Sequence, residues 1–146
     1  MRTDMPVLAD DSGIEVDALD GGPGVQSARY GGEGVDDPGR NRLVLEALRE
    51  ATDTSLRGAR FRCVLAVAVG GRTVATFDGV VEGRIHHASD GDEGFGYDPI
   101  FFHPESGCTF GRLSRGEKER VSHRGQAIQA LLVAIREGDP RLAGIG

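Results

Sequence analysis

The sequence has 146 residues, 38% of them apolar and 27% charged, with a formal net charge of −6 and a pI near 5.2. That length suits one domain spanning residues 1–146, and the mixture is too apolar for a disordered chain. An acidic chain has no general attraction for nucleic acid or an anionic membrane surface, and the apolar runs here are too short to cross a bilayer.

Taken in chain order, residues 6–9 predict a strand that enters an acidic turn, Asp10-Asp11-Ser12-Gly13. Ile14, Val16 and Ala18 alternate with Glu15 and Asp17, the period of a further half-buried strand. "LDGGPG" at 19–24 is a turn by composition, a short helix or turn follows over 25–30, and 31–40 is a loop. Asp37 followed by Pro38 marks a helix start, and Leu43, Ala47 and Leu48 place that helix near 38–51. "ARFRCVLAVAV" at 59–69 is a strand, Gly70-Gly71 a tight hairpin turn, and "RTVATFDGVVEGRI" at 72–85 the partner strand, with a bulge expected at Gly79. Residues 86–98 form a loop and 99–102 a short strand. Ser122 caps a helix whose apolar face is Ala127, Ile128, Leu131, Leu132 and Ile135, ending at Gly138. These elements predict an α/β fold with a mixed central sheet, a hairpin and flanking helices.

Two cysteines, Cys63 and Cys108, lack CxxC spacing and are too few for a disulfide framework. A reduced, cytoplasmic setting follows as the expectation, and the first residues carry no apolar signal region. Sixteen arginines stand against a single lysine, Lys118. That makes Lys118 a candidate for a lysine-specific role, with survival on a solvated surface as the alternative.

Three stretches carry candidate chemistry. In Asp10-Asp11-Ser12-Gly13, adjacent residues of an extended chain point to opposite sides, so the two carboxylates suit different tasks. One can hold Mg²⁺ or polarise water while the other makes structural hydrogen bonds; the alternative is a turn in which Asp caps free N–H groups. The stretch "GDEGFGYDPIFF" at 91–102 holds four of the eight aromatic residues, and Gly94 and Gly96 flank Phe95. A backbone so freed can approach a ligand closely, and a flat ring can stack on the aromatic. A hydrophobic plug explains Phe101 and Phe102 but not glycines on both sides of Phe95. In "EKERVSHRGQA" at 117–127, Ser122 puts His123 and Arg124 in a helix's first turn, where acids are the usual choice. Free N–H groups there favour an anionic or acceptor-bearing ligand; a solvated basic loop is the alternative. His86 and His87 lack metal-ligand spacing, and nothing matches a Walker loop, a GxSxG elbow or a Rossmann fingerprint.

Together, "PVLADDSGIEVDALDGGPGVQSARYGG" (6–32), "GFGYDPIFF" (94–102) and "EKERVSHRGQAI" (117–128) resemble the inosine/xanthosine triphosphate pyrophosphatase, or Ham1-like, family. The resemblance covers residues 4 to 135 or so. It implies hydrolysis of dITP, ITP or XTP to the monophosphate and pyrophosphate with Mg²⁺, in a homodimer. Position by position, it makes Asp11 the general base and metal-linked carboxylate, with Asp10 its neighbour at the metal. Ser12 becomes a substrate contact, Phe95, Gly96, Tyr97 and Asp98 the base pocket, and Lys118 a substrate-binding lysine. His123 and Arg124 match the readers of the 6-oxo purine edge. Such a purine presents an acceptor where adenine presents an NH₂ group, so donors left unpaired by adenine can discriminate by ~10⁴ or more.

The resemblance also implies parts with no match in these 146 residues: an amino-terminal strand, a Ser/Thr-x-Asn-x-x-Lys phosphate loop, a helix, a further strand and an additional metal-binding acid. The chain is thus expected to begin part-way into the family's domain. In "TFGRLSRGEK", Arg112 stands where the family usually has an acid. A catalytically weak purine-nucleotide-binding module is the first rival reading. A carboxylate hydrolase such as a glycosidase using Asp11 is the second, opposed by the aromatic and Ser-His-Arg stretches.

Overall fold

The computed structural model of the chain describes residues 5–143. Its strands are β1 (Val7–Val16), β2 (Gly22–Pro23), β3 (Gly58–Val69), β4 (Arg72–Ile85), β5 (Phe101–His103) and β6 (Cys108–Thr109). Its α-helices are α1 (Asp37–Ala47), α2 (Arg115–Val121) and α3 (His123–Arg136), with short 3₁₀ turns between. The six strands form one sheet in the order β2-β1-β3-β4-β5-β6. The α/β class, the hairpin and the flanking helices expected from sequence are all present. Every strand pair among the described residues is antiparallel.

The largest correction concerns the acidic stretch. Asp10-Asp11-Ser12-Gly13 is not a turn but the middle of β1, and the strands read on either side of it are one. Val7 to Val16 pair in unbroken register with Ala68 to Ala59 of β3. A ten-residue ladder overrides the local turn preference of Asp, Ser and Gly. Two further corrections are local. Asp36, not Asp37, caps α1, accepting the Gly39 N–H at 2.8 Å. The β3–β4 register shift lies at Val67/Ala68, and Gly79 pairs regularly with Cys63. Gly79 is glycine for another reason: a Cβ there would strike the main chain of His123 and Ala127. The missing side chain lets the first turn of α3 lie against β4.

One face of the sheet is apolar and carries the core. Along β3 the buried residues are Ala59, Phe61, Cys63, Leu65 and Val67, every second position. The other face is laced with charge, as where Arg60 bridges Glu82, Asp17 and Glu15. The apolar face has two halves. Phe61, Val81, Ile85, Phe101 and Phe110 pack with Val44 and Leu48 of the α1 region. Cys63, Leu65, Val67 and Phe77 pack with Ala127, Leu131 and Ala134 of α3. The apolar face expected of α3 therefore divides: Ile128, Leu132 and Ile135 are more than two-fifths exposed.

Arg57 ties the α1 half together. It is 2% exposed and donates to four main-chain carbonyls, those of Leu48, Ala51, Ile85 and His86, at 2.8–2.9 Å. It thereby joins the chain that follows α1 to the end of β4.

Candidate active site

The seam between the two core halves opens into a cavity of about 240 Å³. That is below the ~300–1,000 Å³ of sites that enclose a drug-sized ligand, so it has room for one flat ring system. Its rim is the glycine-flanked aromatic loop. Gly94 and Gly96 take φ of +75° and +61°, the left-handed region that glycine enters freely. Phe95 between them is 63% exposed, a large ring presented to solvent.

Beneath the ring lies Asp98, 2% exposed. Its Oδ2 accepts the Phe95 N–H at 3.0 Å and a short charge-assisted bond from Lys118 Nζ. Burial pushes the Asp98 carboxyl up from its ordinary value, against the pull of Lys118. Lys118 Nζ also stands 4.3 Å from the Phe95 ring centroid, a cation–π contact. The lone lysine sits on α2, a helix that the sequence reading does not place. The missed signal is the Ser114-x-x-Glu117 capping box, in which each side chain meets the other's main-chain N–H.

The inner wall is His123, at the first position of α3 behind the Ser122 cap. Its ring stacks on Phe61, with centroids 4.9 Å apart and planes 12° from parallel. It is 9% exposed, and Nδ1 has no hydrogen-bond partner among the described residues. Burial, with Arg124 and Lys118 close by, pushes its pKa down to about 4. The ring is neutral at pH 7, and its partnerless Nδ1 is buried within the wall.

Arg124 closes the far side. Its Nε donates to Asp10 Oδ2 at 2.7 Å, and Ser12 Oγ donates to Asp10 Oδ1 at the same distance. Burial pushes the Asp10 carboxyl up, but the Ser12 hydroxyl and Arg124 outweigh it and hold the group below the usual carboxylate range. The strand alternation expected for the two carboxylates is present. Asp10, Ser12 and Ile14 face Leu65, Cys63 and Phe61 on the core side, whereas Asp11 and Gly13 pair with Val64 and Arg62 on the other. Asp11 is exposed and makes no side-chain hydrogen bond among the described residues. It borders a separate shallow hollow with Glu15, Val25 and Arg62, and meets Asp10 and Arg124 again around the strand edge.

The structure thus brings Ser12, Phe95, Gly96, Tyr97, Asp98, Lys118, His123 and Arg124 to one cavity and sets Asp10 and Asp11 at its outer edge. Tyr97 is 6% exposed, and its hydroxyl donates to the Ser27 carbonyl at 2.6 Å. Sequence reasoning misses Phe61, Ser27, Asp37 and Arg40, which also line the cavity. Phe61 gives no signal beyond strand periodicity, and Asp37 before a proline reads as a helix cap. No group of three or more His, Cys, Asp or Glu side chains is placed to hold a metal ion among the described residues.

Known proteins share this arrangement of chain. A family model described as the Ham1 family matches residues 1–134. A "dITP/XTP pyrophosphatase" from Thermus thermophilus is 49% identical over 138 residues, 94% of this chain and 66% of that protein. One of the same description from Exiguobacterium sibiricum is 47% identical, covering 88% of this chain and 65% of its own. The solved HAM1 protein from Coxiella burnetii superposes with a TM-score of 0.85 at 43% identity, over 91% of this chain and 68% of that one. The Staphylococcus aureus Ham1 protein gives 0.82 at 42% identity, over 93% and 69%. The chain spans about two thirds of the length of the curated relatives it matches.

Proposed function

The chain belongs to the Ham1 family, and we propose that it hydrolyses non-canonical purine nucleoside triphosphates, dITP, ITP or XTP, to the monophosphate and pyrophosphate. The names of the Thermus and Exiguobacterium relatives support the substrate class. The observation that carries the reading is the cavity itself. An exposed Phe95, the flat neutral ring of His123 and a cationic Arg124 converge on a slot of heterocycle size.

In this reading the purine stacks on Phe95, a contact worth ~1–3 kcal/mol per base. Arg124 donates to the 6-oxo group, and adenine would leave that donor unpaired. Lys118, held by Asp98, keeps positive charge beside the ring. The phosphates run outward over the edge of β1, where Asp10 and Asp11 stand. Asp11 takes a proton from water, the water oxygen bonds to the α-phosphorus, and pyrophosphate leaves with the electrons of the broken α–β bridge.

Asp11 fits a divalent cation as an uncommitted hard oxygen donor; Asp10 would have to share itself with Arg124 and Ser12. Mg²⁺ commonly takes only one or two carboxylates, with substrate phosphates as further ligands. When bound, it would neutralise charge on the phosphates and the leaving pyrophosphate. A homodimer and a cytoplasmic setting belong to the same proposal. Two free cysteines agree with a reducing compartment, and no described helix is long and apolar enough to cross a membrane.

The test is pyrophosphate release from dITP by the 146-residue chain with Mg²⁺, with dATP as control. Release from dITP at ~10²-fold or more over dATP is expected. Equal rates would remove the purine-reading role, and dITP binding without release would leave a binding module.

A further inference from the structure

Phe95 is a largely exposed platform, and apart from the Lys118 ammonium against its ring its position comes from its main chain. An exposed ring between two glycines would otherwise sample many poses. Asp98 holds the Phe95 N–H from within the loop. The next peptide is held from outside it. Asp37 Oδ2 accepts the Gly96 N–H at 2.9 Å, and Asn41 Nδ2 donates to the Gly96 carbonyl at 3.1 Å. Both residues lie on α1, one turn apart, and are 59 and 55 positions away in sequence.

The two side chains are themselves fixed. Asp37 Oδ1 accepts from Arg40 Nη2 at 2.8 Å, and Arg40 Nη1 reaches the Val35 carbonyl at 2.5 Å. Asn41 is 4% exposed, and its Oδ1 has no partner among the described residues. The one side-chain hydrogen bond that this buried amide makes among the described residues is the one to Gly96. The core contacts of this helix come from Val44 and Leu48, further along the chain. The clamp is therefore separable from the packing that holds α1 in place.

We propose that Asp37 and Asn41 are positioning residues that grip the N–H and the carbonyl of Gly96, in the two peptides flanking its Cα, and set the height and tilt of the Phe95 ring for the stacked base. The proposal rests on the purine reading of the cavity. Asp37 lines the cavity, but its two carboxylate oxygens are already committed to Gly96 and Arg40. Each acts through Phe95, and the affinity of the stacked base depends on the pose they impose.

The experiment uses the full chain and the variants Asp37→Ala, Asp37→Asn, Asn41→Asp, Phe95→Ala and Asp37→Ala/Phe95→Ala. Steady-state pyrophosphate release from dITP gives KM and kcat, and amide exchange is followed over residues 93–98. Asp37→Ala and Asn41→Asp are expected to raise KM ~10-fold with kcat within ~2-fold, inside the ~5–150-fold that base stacking supplies. Asp37→Asn keeps an acceptor for Gly96 and is expected to restore most of the affinity. The double variant is expected to be no worse than Phe95→Ala alone, because removing the ring removes what the clamp acts on. Exchange over 93–98 should quicken in Asp37→Ala while β3 stays protected. Additive losses in the double variant, or an unchanged KM with unchanged exchange, would overturn the proposal. Failure of the wild-type chain to bind dITP would instead bring down the purine reading, and the positioning role with it.

Discussion

Acid should weaken this fold through His123 in a way that one substitution reveals. The ring is 9% exposed, stacked on Phe61 and faced by Arg124 and Lys118, with Asp10 as its nearby anion. Its pKa in the fold is about 4 against an ordinary 6.5. A histidine with a folded value below its unfolded one binds more protons when unfolded. Its neutral form is therefore fully compatible with the fold above pH 6.5, and stability drains as pH falls from 6.5 to 4. At ~1.4 kcal/mol per pH unit, the loss amounts to ~3 kcal/mol. That is a large share of the ~5–15 kcal/mol of a typical domain. The assay is urea unfolding at intervals from about pH 7.5 to about pH 4 for the wild type and His123→Phe, which keeps a ring on Phe61 but cannot titrate. Carboxylates held low in the fold, such as Asp10 and Asp37, also lose their contributions in acid, but they do so in both proteins. The difference between the two curves should therefore grow by ~3 kcal/mol as pH falls. Parallel curves would refute the buried neutral imidazole.

Three other predictions test the site and its support. Asp11→Asn is expected to abolish pyrophosphate release while leaving dITP affinity, measured calorimetrically, within ~3-fold, because Asp11 lies outside the base cavity; equal loss of both would end its assignment as the base. Arg124→Ala should shrink the dITP-over-dATP ratio of kcat/KM by ~10-fold or more, and an unchanged ratio would remove Arg124 from base reading. Arg57→Met should cost ~2–4 kcal/mol in urea unfolding, since it takes a donor from four buried or half-buried carbonyls at once, and a loss below ~1 kcal/mol would show that water replaces the guanidinium.

Much of the site is legible from sequence because its parts are local. The Gly-Phe-Gly spacing announces a left-handed loop that presents a ring, and the loop does so. Ser122 announces a helix start, and its Oγ accepts the Gly125 N–H at 3.0 Å. Gly70-Gly71 between two Val-rich runs announces the hairpin, which forms there. In each case the controlling interactions span only a few residues, so propensity and periodicity suffice.

What the sequence leaves open is decided by contacts between distant segments. Turn chemistry at Asp10-Asp11-Ser12-Gly13 gives way to a ladder with residues about fifty positions away, which places one carboxylate on the core face and the other opposite. The pairing of Arg124 with Asp10 spans 114 positions, and the grip of Asp37 on Gly96 spans 59. The sequence by itself determined which aromatic, cationic and carboxylate groups this protein has to offer a ligand, since residue type and local spacing carry that information. Only the tertiary structure decided that Lys118 is spent on Asp98 and Phe95, that Asp10 is spent on Arg124, and that Asp11 makes no side-chain hydrogen bond among the described residues. A hydrogen bond or ion pair is made by whichever groups the packed sheet and helices bring within about 3 Å, and sequence distance places no bound on that choice.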